Sequence, residues 1–108
     1  MRIRFESARA REQLLTRGYA YTLRAWHVAK PITALAISNG KPIGKVLVKP
    51  VAAVHLGSGR AREVLARYVG GSGFNSVDEW LTEFRRLNGG RVIKVAYLYR
   101  VELVSTYS

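Results

Sequence analysis

Five stretches of the chain carry the β-favouring composition or the period of two typical of strands: 2–5, 19–23, 33–37, 45–56 and 92–104. Asn39-Gly40 predicts a tight turn between the third and fourth stretches, and Pro50 predicts a break, an edge or a bulge within the fourth. In the last stretch the odd positions from 93 to 103 form one apolar and aromatic face, opposite Lys94, Arg100 and Glu102. A strand of about twelve residues exceeds the usual length, which predicts bending around a small barrel.

Three other stretches predict helices. Ser7 as N-cap and Gly18 as stop bound a helix of about ten residues. Apolar residues recur at helical spacing from Ala61 to Val69, ahead of Gly70-Gly71. Ser76-Val77-Asp78-Glu79 is a capping box that opens a further helix, which Asn88-Gly89-Gly90 ends. The pattern predicts an α+β fold with about five or six mixed strands and two or three flanking helices.

Length and composition limit the possible chemistry. The chain has 108 residues, 48% of them hydrophobic, which predicts a single folded domain spanning 1–108. It has no cysteine and only two histidines, so we expect no disulfide, no thiolate nucleophile, no metal site and no cofactor. A charged start and the lack of a long apolar stretch predict a cytoplasmic protein without a membrane partner. We expect a monomer.

The charge is large and unevenly placed. The net charge is +11, and residues 13–62 hold eight basic and no acidic side chains. Residues 63–108 are nearly neutral. This asymmetry predicts a surface for a polyanion, either RNA or single-stranded DNA. An acidic protein partner is a different interpretation of the same charge, and pull-down after nuclease treatment would favour it.

The segment from Arg17 to His27 holds the most informative cluster. Thr22, Arg24 and Trp26 share one face of the predicted strand, where arginine would bind phosphate and tryptophan would stack on a base. In the competing interpretation, Trp26 packs under the loop and Arg24 is solvated. The nucleic-acid site predicted from these and neighbouring residues comprises Arg17, Tyr19, Thr22, Arg24, Trp26, Lys41, Lys45, Lys49, Arg60 and Phe74. In this prediction the three lysines supply an electrostatic track, and Arg60 supports a phosphate site after Gly57-Ser58-Gly59.

The sequence gives enzymatic activity little support. It has no Gly-x-Ser-x-Gly elbow and no His-Glu-x-x-His motif, and its carboxylates lie only before residue 13 and after residue 62. Most of those carboxylates suit helix capping or pairing along a helix.

The order of elements and two short motifs resemble the ASCH domains of the PUA-like superfamily. Gly18 to Arg24, followed by Trp26, is similar to the family's Gly-x-Lys-Thr-x-Thr-x-Arg segment. Gly73 to Trp80 is similar to the family's Glu-Gly-Phe-x-Ser-x-x-Glu-aromatic segment. The resemblance covers most of the chain and implies a small PUA-like β-barrel with helices at its side.

The resemblance also implies a function. It implies RNA binding in a cleft between barrel and helices, with Thr22, Arg24 and Trp26 at the floor and Gly73-Phe74 at the lip. Some family members are hydrolases acting on a modified nucleoside or on RNA, with a Lys, Thr and Glu set. Here Tyr19 occupies the lysine position and Ser72 the glutamate position, so only Thr22 would serve such chemistry. We therefore expect an RNA-binding domain for unpaired nucleotides, with a hydrolase as the alternative.

Overall fold

A computed structural model describes residues 1–106 of the protein. They form an α+β fold with a mixed five-stranded sheet, three α-helices and a 3₁₀ turn. The strands are β1 (Arg2–Arg4), β2 (Tyr19–Arg24), β3 (Ile32–Ser38), β4 (Lys41–His55) and β5 (Val95–Thr106); the helices are α1 (Ala8–Arg17), α2 (Ala61–Ala66) and α3 (Val77–Leu87), and the 3₁₀ turn is Val69–Gly71.

The sheet has the strand order β1-β3-β4-β5-β2. β1 runs parallel to β3, and all other neighbours are antiparallel. The β3–β4 hairpin turns at Asn39 and Gly40, whose φ angles of 52° and 76° suit the predicted tight turn. Because this turn pairs Ser38 directly with Lys41, β4 begins at Lys41 rather than at the predicted Lys45. The predicted irregularity at Pro50 is confirmed, since the β4–β5 register shifts between Pro50 and Ala52.

Two core clusters lie on opposite faces of the sheet. The inner face carries the larger cluster, which also holds Leu14 of α1: Ile3, Phe5, Ala20, Ala34, Ala36, Val46, Val48, Tyr99 and Val101. The second cluster joins the outer face near Leu23 and Leu98 to α2 and α3. The predicted apolar face of β5 is confirmed from Tyr97 to Leu103, which pack in or against the inner cluster. Ala96 and Leu98 on the opposite face are also buried, because α2 and α3 cover that part of the sheet.

Two predicted segments have other bounds than expected. The helix expected from Ala61 to Val69 ends at Ala66 and continues as a separate 3₁₀ turn. The last strand begins at Val95 rather than Val92, because its partner β4 ends at His55, which lies opposite Val95. The capping prediction for α3 is confirmed at Ser76, whose Oγ accepts from the Glu79 N–H at 3.1 Å. The Glu79 carboxylate accepts from the Asn75 N–H and pairs with Arg9, which ties α3 to α1.

The sheet is curled but is not closed into the barrel that the sequence predicts. Hydrogen bonding ends at β1 on one side and at β2 on the other, and within residues 1–106 no ladder joins these two edges. The edges nevertheless approach each other: the Cζ atom of Arg24 in β2 lies 5.2 Å from the ring centre of Phe5, which follows β1. No helix within the described chain is long and apolar enough to cross a membrane. The fold therefore leaves a gap between two strand edges.

Candidate functional site

A cleft of ≈ 230 Å³ lies at this gap. One wall is the end of β1 and the residues that follow it, and a second wall is β2 with the first residues of the following loop. Helix α3 and Phe74 close the third side. The lining residues include four predicted for the site, namely Thr22, Arg24, Trp26 and Phe74. The fold thus brings Thr22 and Phe74 to one cleft although they are 52 positions apart in the chain.

Arg24 is the principal charged group of this cleft. Its side chain is partly buried, and burial lowers the pKa of the guanidinium to about 10, although the nearby charge of Glu6 offsets part of that effect. A pKa of about 10 keeps the group charged at neutral pH. Its Nε donates to Thr22 Oγ1 at 3.4 Å, and its Cζ lies 5.2 Å from the centre of the Phe5 ring. Within residues 1–106 Arg24 has no ion-pair partner, so its terminal N–H groups remain for a ligand.

The other polar groups of the cleft are mostly engaged elsewhere. Glu83 pairs with Arg86, and the Asn88 Nδ2 donates to the Phe84 carbonyl at 2.7 Å. The lining includes no histidine, lysine or cysteine. This arrangement suits the binding of an anion better than the activation of a hydroxyl group.

Aromatic rings form much of the remaining surface. Trp80 and Phe84 of α3 are buried, whereas Trp26 and Phe74 are partly exposed. The Trp26 ring stacks on Tyr99 with centroids 4.8 Å apart, so it packs against the core and also lines the cleft. The packing interpretation of Trp26 therefore describes part of its surroundings, and its stacking on a base stays a prediction. Partly exposed rings beside a cation can bind a planar ligand by stacking.

Tyr99 holds the loop that carries Trp26. Its buried hydroxyl accepts from the Val28 N–H at 2.7 Å and donates to the Trp26 carbonyl at 2.9 Å. Burial raises the pKa of the Tyr99 hydroxyl above its ordinary value, which keeps this donor protonated. The inner face of the sheet thus fixes the position of Trp26 at the cleft.

Replacing Tyr99 by phenylalanine is expected to lower the free energy of unfolding by about 1–3 kcal/mol, because two main-chain groups lose their partner. Chemical denaturation measures this change. Amide exchange at Val28 should become faster, since its N–H donates to the removed hydroxyl. Unchanged exchange at Val28 would contradict the role assigned to this hydrogen bond.

Tyr19 and Arg17 lie outside the cleft. Tyr19 is on the outer face of the sheet, with the Arg100 guanidinium 4.1 Å from its ring centre and Tyr21 at its edge. Arg17 is exposed at the end of α1, beside a shallow depression near Gly73. Arg60 is exposed just before α2 and does not line the cleft either. Of the two positions that correspond to the lysine and glutamate of the resembled motif, Tyr19 does not line the cleft, whereas the buried Ser72 does and donates its hydroxyl to the Val69 carbonyl.

The three lysines predicted as a track differ in their surroundings. Lys49 Nζ lies 2.8 Å from Glu102 Oε1, and the Lys49 ammonium and the Arg100 guanidinium hold the pKa of Glu102 below its ordinary value. Lys45 and Lys41 are exposed and have no ion-pair partner within residues 1–106. The sequence could not show this difference, since Glu102 lies 53 positions from Lys49.

Arg2 and Arg4 are cations that the sequence interpretation missed. Arg4 lines the cleft, and Arg2 lies two residues earlier on the same strand. In the sheet, Arg2 of β1 lies opposite Leu35 of β3, and Leu35 lies opposite Lys45 of β4. These residues therefore form one row across three strands. Arg4, Arg2 and Lys45 therefore form a path of positive charge from the cleft across the sheet. None of the three has an ion-pair partner within residues 1–106. The alternation of Arg2 and Arg4 with Ile3 and Phe5 was the available signal, because it places both arginines opposite the core.

Neither a family model, nor a curated protein, nor a solved structure matches this chain.

Proposed function

We propose that this domain binds RNA by holding an unpaired nucleotide in the cleft between β2 and α3. The observation that carries the proposal is Arg24, a partly buried guanidinium without an ion-pair partner in residues 1–106, set among aromatic rings. A nucleotide combines an anion with a planar ring, which are the two groups that such a site binds best. Double-stranded RNA keeps its bases stacked inside the helix, so the ligand has to be single-stranded or unpaired.

The motif resemblance supports the same function from another direction. The segment Thr22 to Trp26 and Phe74 of the second segment are separate in sequence, yet both line this cleft. ASCH domains, which these segments resemble, bind RNA in a cleft between barrel and helices. We infer that the curled, open sheet corresponds to the PUA-like barrel expected from the resemblance, with the cleft at its unpaired side.

Binding of short labelled RNA tests the proposal. Fluorescence anisotropy with a fluorescein-labelled nine-nucleotide oligouridine should show binding at low salt that weakens steeply as salt is added, because contacted phosphates release counterions. The same oligouridine annealed to oligoadenosine should compete poorly, since its bases are paired. Absence of binding at low salt, or equal binding of the duplex, would overturn the proposed function.

Substitution of single lysines tests whether an RNA strand extends along the sheet beyond the cleft. Lys45→Gln is expected to reduce the slope of log affinity against log salt by about 0.7, the value for one phosphate contact on a single strand. Lys49→Gln should reduce it less, because Glu102 already neutralises the Lys49 ammonium. Both variants remove one positive charge from β4, so each is the other's control. Equal slopes for the two variants would exclude the path through Lys45.

A further inference from the structure

The free edge of β2 forms one wall of the cleft. β2 pairs with β5 on one side only. The N–H of Leu103 donates to the Gly18 carbonyl at 2.8 Å, which fixes the alternation of this antiparallel ladder. The N–H and C=O groups of Gly18, Ala20, Thr22 and Arg24 therefore point toward β5. Those of Tyr19, Tyr21 and Leu23 point away from the sheet.

The outward main-chain groups of β2 differ in whether they have a partner. The Tyr19 carbonyl accepts from Gln13 Nε2 at 3.2 Å. The outward N–H and C=O groups of Tyr21 and Leu23 have no hydrogen-bond partner within residues 1–106. Both residues line the cleft, and Leu23 is only 7% exposed. Main-chain N–H and C=O groups need a partner, and at this strand edge two donors and two acceptors face the cleft, where a ligand can supply one.

Arg24 provides a second and independent indication of a ligand at this edge. It follows Leu23 directly, and its side chain lies on the inner face of the same strand, where its terminal N–H groups are unpaired within the described residues. A ligand beside Leu23 thus meets main-chain donors and acceptors together with a guanidinium. Phe74 and Trp26 offer ring faces across the same cleft.

We propose that the main chain of Tyr21 and Leu23 hydrogen-bonds the Watson–Crick edge of the nucleotide base, an inference that rests on the proposed RNA-binding function. Each RNA base carries a donor next to an acceptor on that edge, and one outward-facing residue of a strand presents an acceptor next to a donor. The base therefore takes the place of a neighbouring strand, and its own Watson–Crick edge must be free. Recognition through the main chain also accounts for a floor with few free polar side chains.

Methylated bases test this inference directly. Nine-nucleotide RNAs of uridine, of N3-methyluridine and of 5-methyluridine are compared by anisotropy. N3-methylation removes the donor of the Watson–Crick edge and adds bulk there, so we expect at least about tenfold weaker binding. 5-Methylation adds the same group away from that edge and should leave binding within about twofold of uridine. Equal binding of the N3-methylated RNA, with the uridine RNA still bound, overturns the inference and leaves the proposed function standing.

A matched pair of substitutions tests the protein side. Tyr21→Pro and Tyr21→Ala both remove a side chain that packs on the outer face against Tyr68, but only proline also removes the outward N–H. Melting temperatures identify any variant that fails to fold, in which case the methylated RNAs decide alone. We expect proline to weaken RNA binding at least about fivefold more than alanine does.

The other outcomes are also decisive. Equal affinity of two folded Tyr21 variants overturns the inference. Binding of an extended peptide at this edge, without binding of any RNA, overturns both the inference and the proposed function.

Discussion

Arg24→Met is expected to weaken binding of the oligouridine by about 10- to 100-fold, the range set by hydrogen bonds to a charged group. Methionine has a similar length and keeps the apolar contact along the side chain, but it cannot hold an anion. Anisotropy titration at fixed low salt measures the change. This is the largest effect on binding that we expect from one side chain of the cleft.

The same substitution should leave the stability of the fold unchanged or raise it. Burial lowers the pKa of Arg24, which means that the folded state disfavours its charge, and no carboxylate within residues 1–106 pairs with it. Replacing a desolvated and unpaired charge by an apolar side chain is commonly neutral or stabilising. The contact with Phe5 opposes this by about 0.5–1 kcal/mol. Loss of binding together with retained stability distinguishes a ligand-binding arginine from a structural one.

Arg17→Met is the matched control for Arg24→Met. It removes the same charge from the same part of the chain, but Arg17 is exposed at the end of α1 and does not line the cleft. Its effect measures the general attraction between the protein and RNA, and the difference between the two variants measures the cleft. If both variants bind equally, the cleft is not the binding site.

Local signals in the sequence were sufficient to predict most elements of the fold. The Asn39-Gly40 turn, the capping by Ser76 and the stop at Gly18 each depend on a few neighbouring residues, and the structure has all three. Strand boundaries were less certain because a strand ends where its partner ends, as β5 does opposite His55. Closure of the sheet depends on how β1 and β2 meet, and no local pattern encodes the distance between them.

The candidate site was predictable only where its residues share a motif. Thr22, Arg24 and Trp26 lie within five residues, and their alternation placed them on one side of the chain. Arg4 and Glu6 line the same cleft from the other edge of the sheet, and nothing in the sequence relates them to Arg24. Ion pairs between residues that are distant in the sequence also change which basic side chains remain unpaired.

The basic block shows how such pairing redistributes charge. Residues 13–62 contain no carboxylate of their own, yet Glu102 neutralises Lys49 and Asp78 pairs with Arg62. A count of charges along the chain therefore overstates how many cations are free to bind an anion. Of the eight cations in this block, Lys49 and Arg62 are paired, whereas Arg24 in the cleft and Lys45 on the sheet have no ion-pair partner within residues 1–106.

Gly73→Ala is expected to cause the largest loss of stability, about 2–5 kcal/mol, because two separate costs add at this position. Gly73 has a φ of 90°, a conformation that residues with a side chain rarely adopt. A Cβ atom there would lie 2.3 Å from the Arg9 carbonyl oxygen, and this main-chain atom of α1 cannot rotate away. Thermal unfolding should show a melting temperature lower by at least about 10 °C. The loop also carries Phe74, so RNA binding should weaken even below the melting temperature.

Alanine substitutions at three other glycines separate the cost of the backbone conformation from the cost of the steric contact. Gly89 has a φ of 70° and open space around it, so Gly89→Ala is expected to cost about 1 kcal/mol through conformation alone. A Cβ at Gly71 would meet only the Tyr19 and Tyr21 rings, at 2.8 and 2.7 Å, and Gly71→Ala should cost about 1–3 kcal/mol because these rings have to shift. Gly70 has neither feature, and its alanine variant should match the wild type within about 0.5 kcal/mol. If Gly73→Ala lowers the free energy of unfolding no more than Gly89→Ala does, the close contact between α1 and the Gly73 loop is not present. That contact would then not hold Phe74 at the cleft.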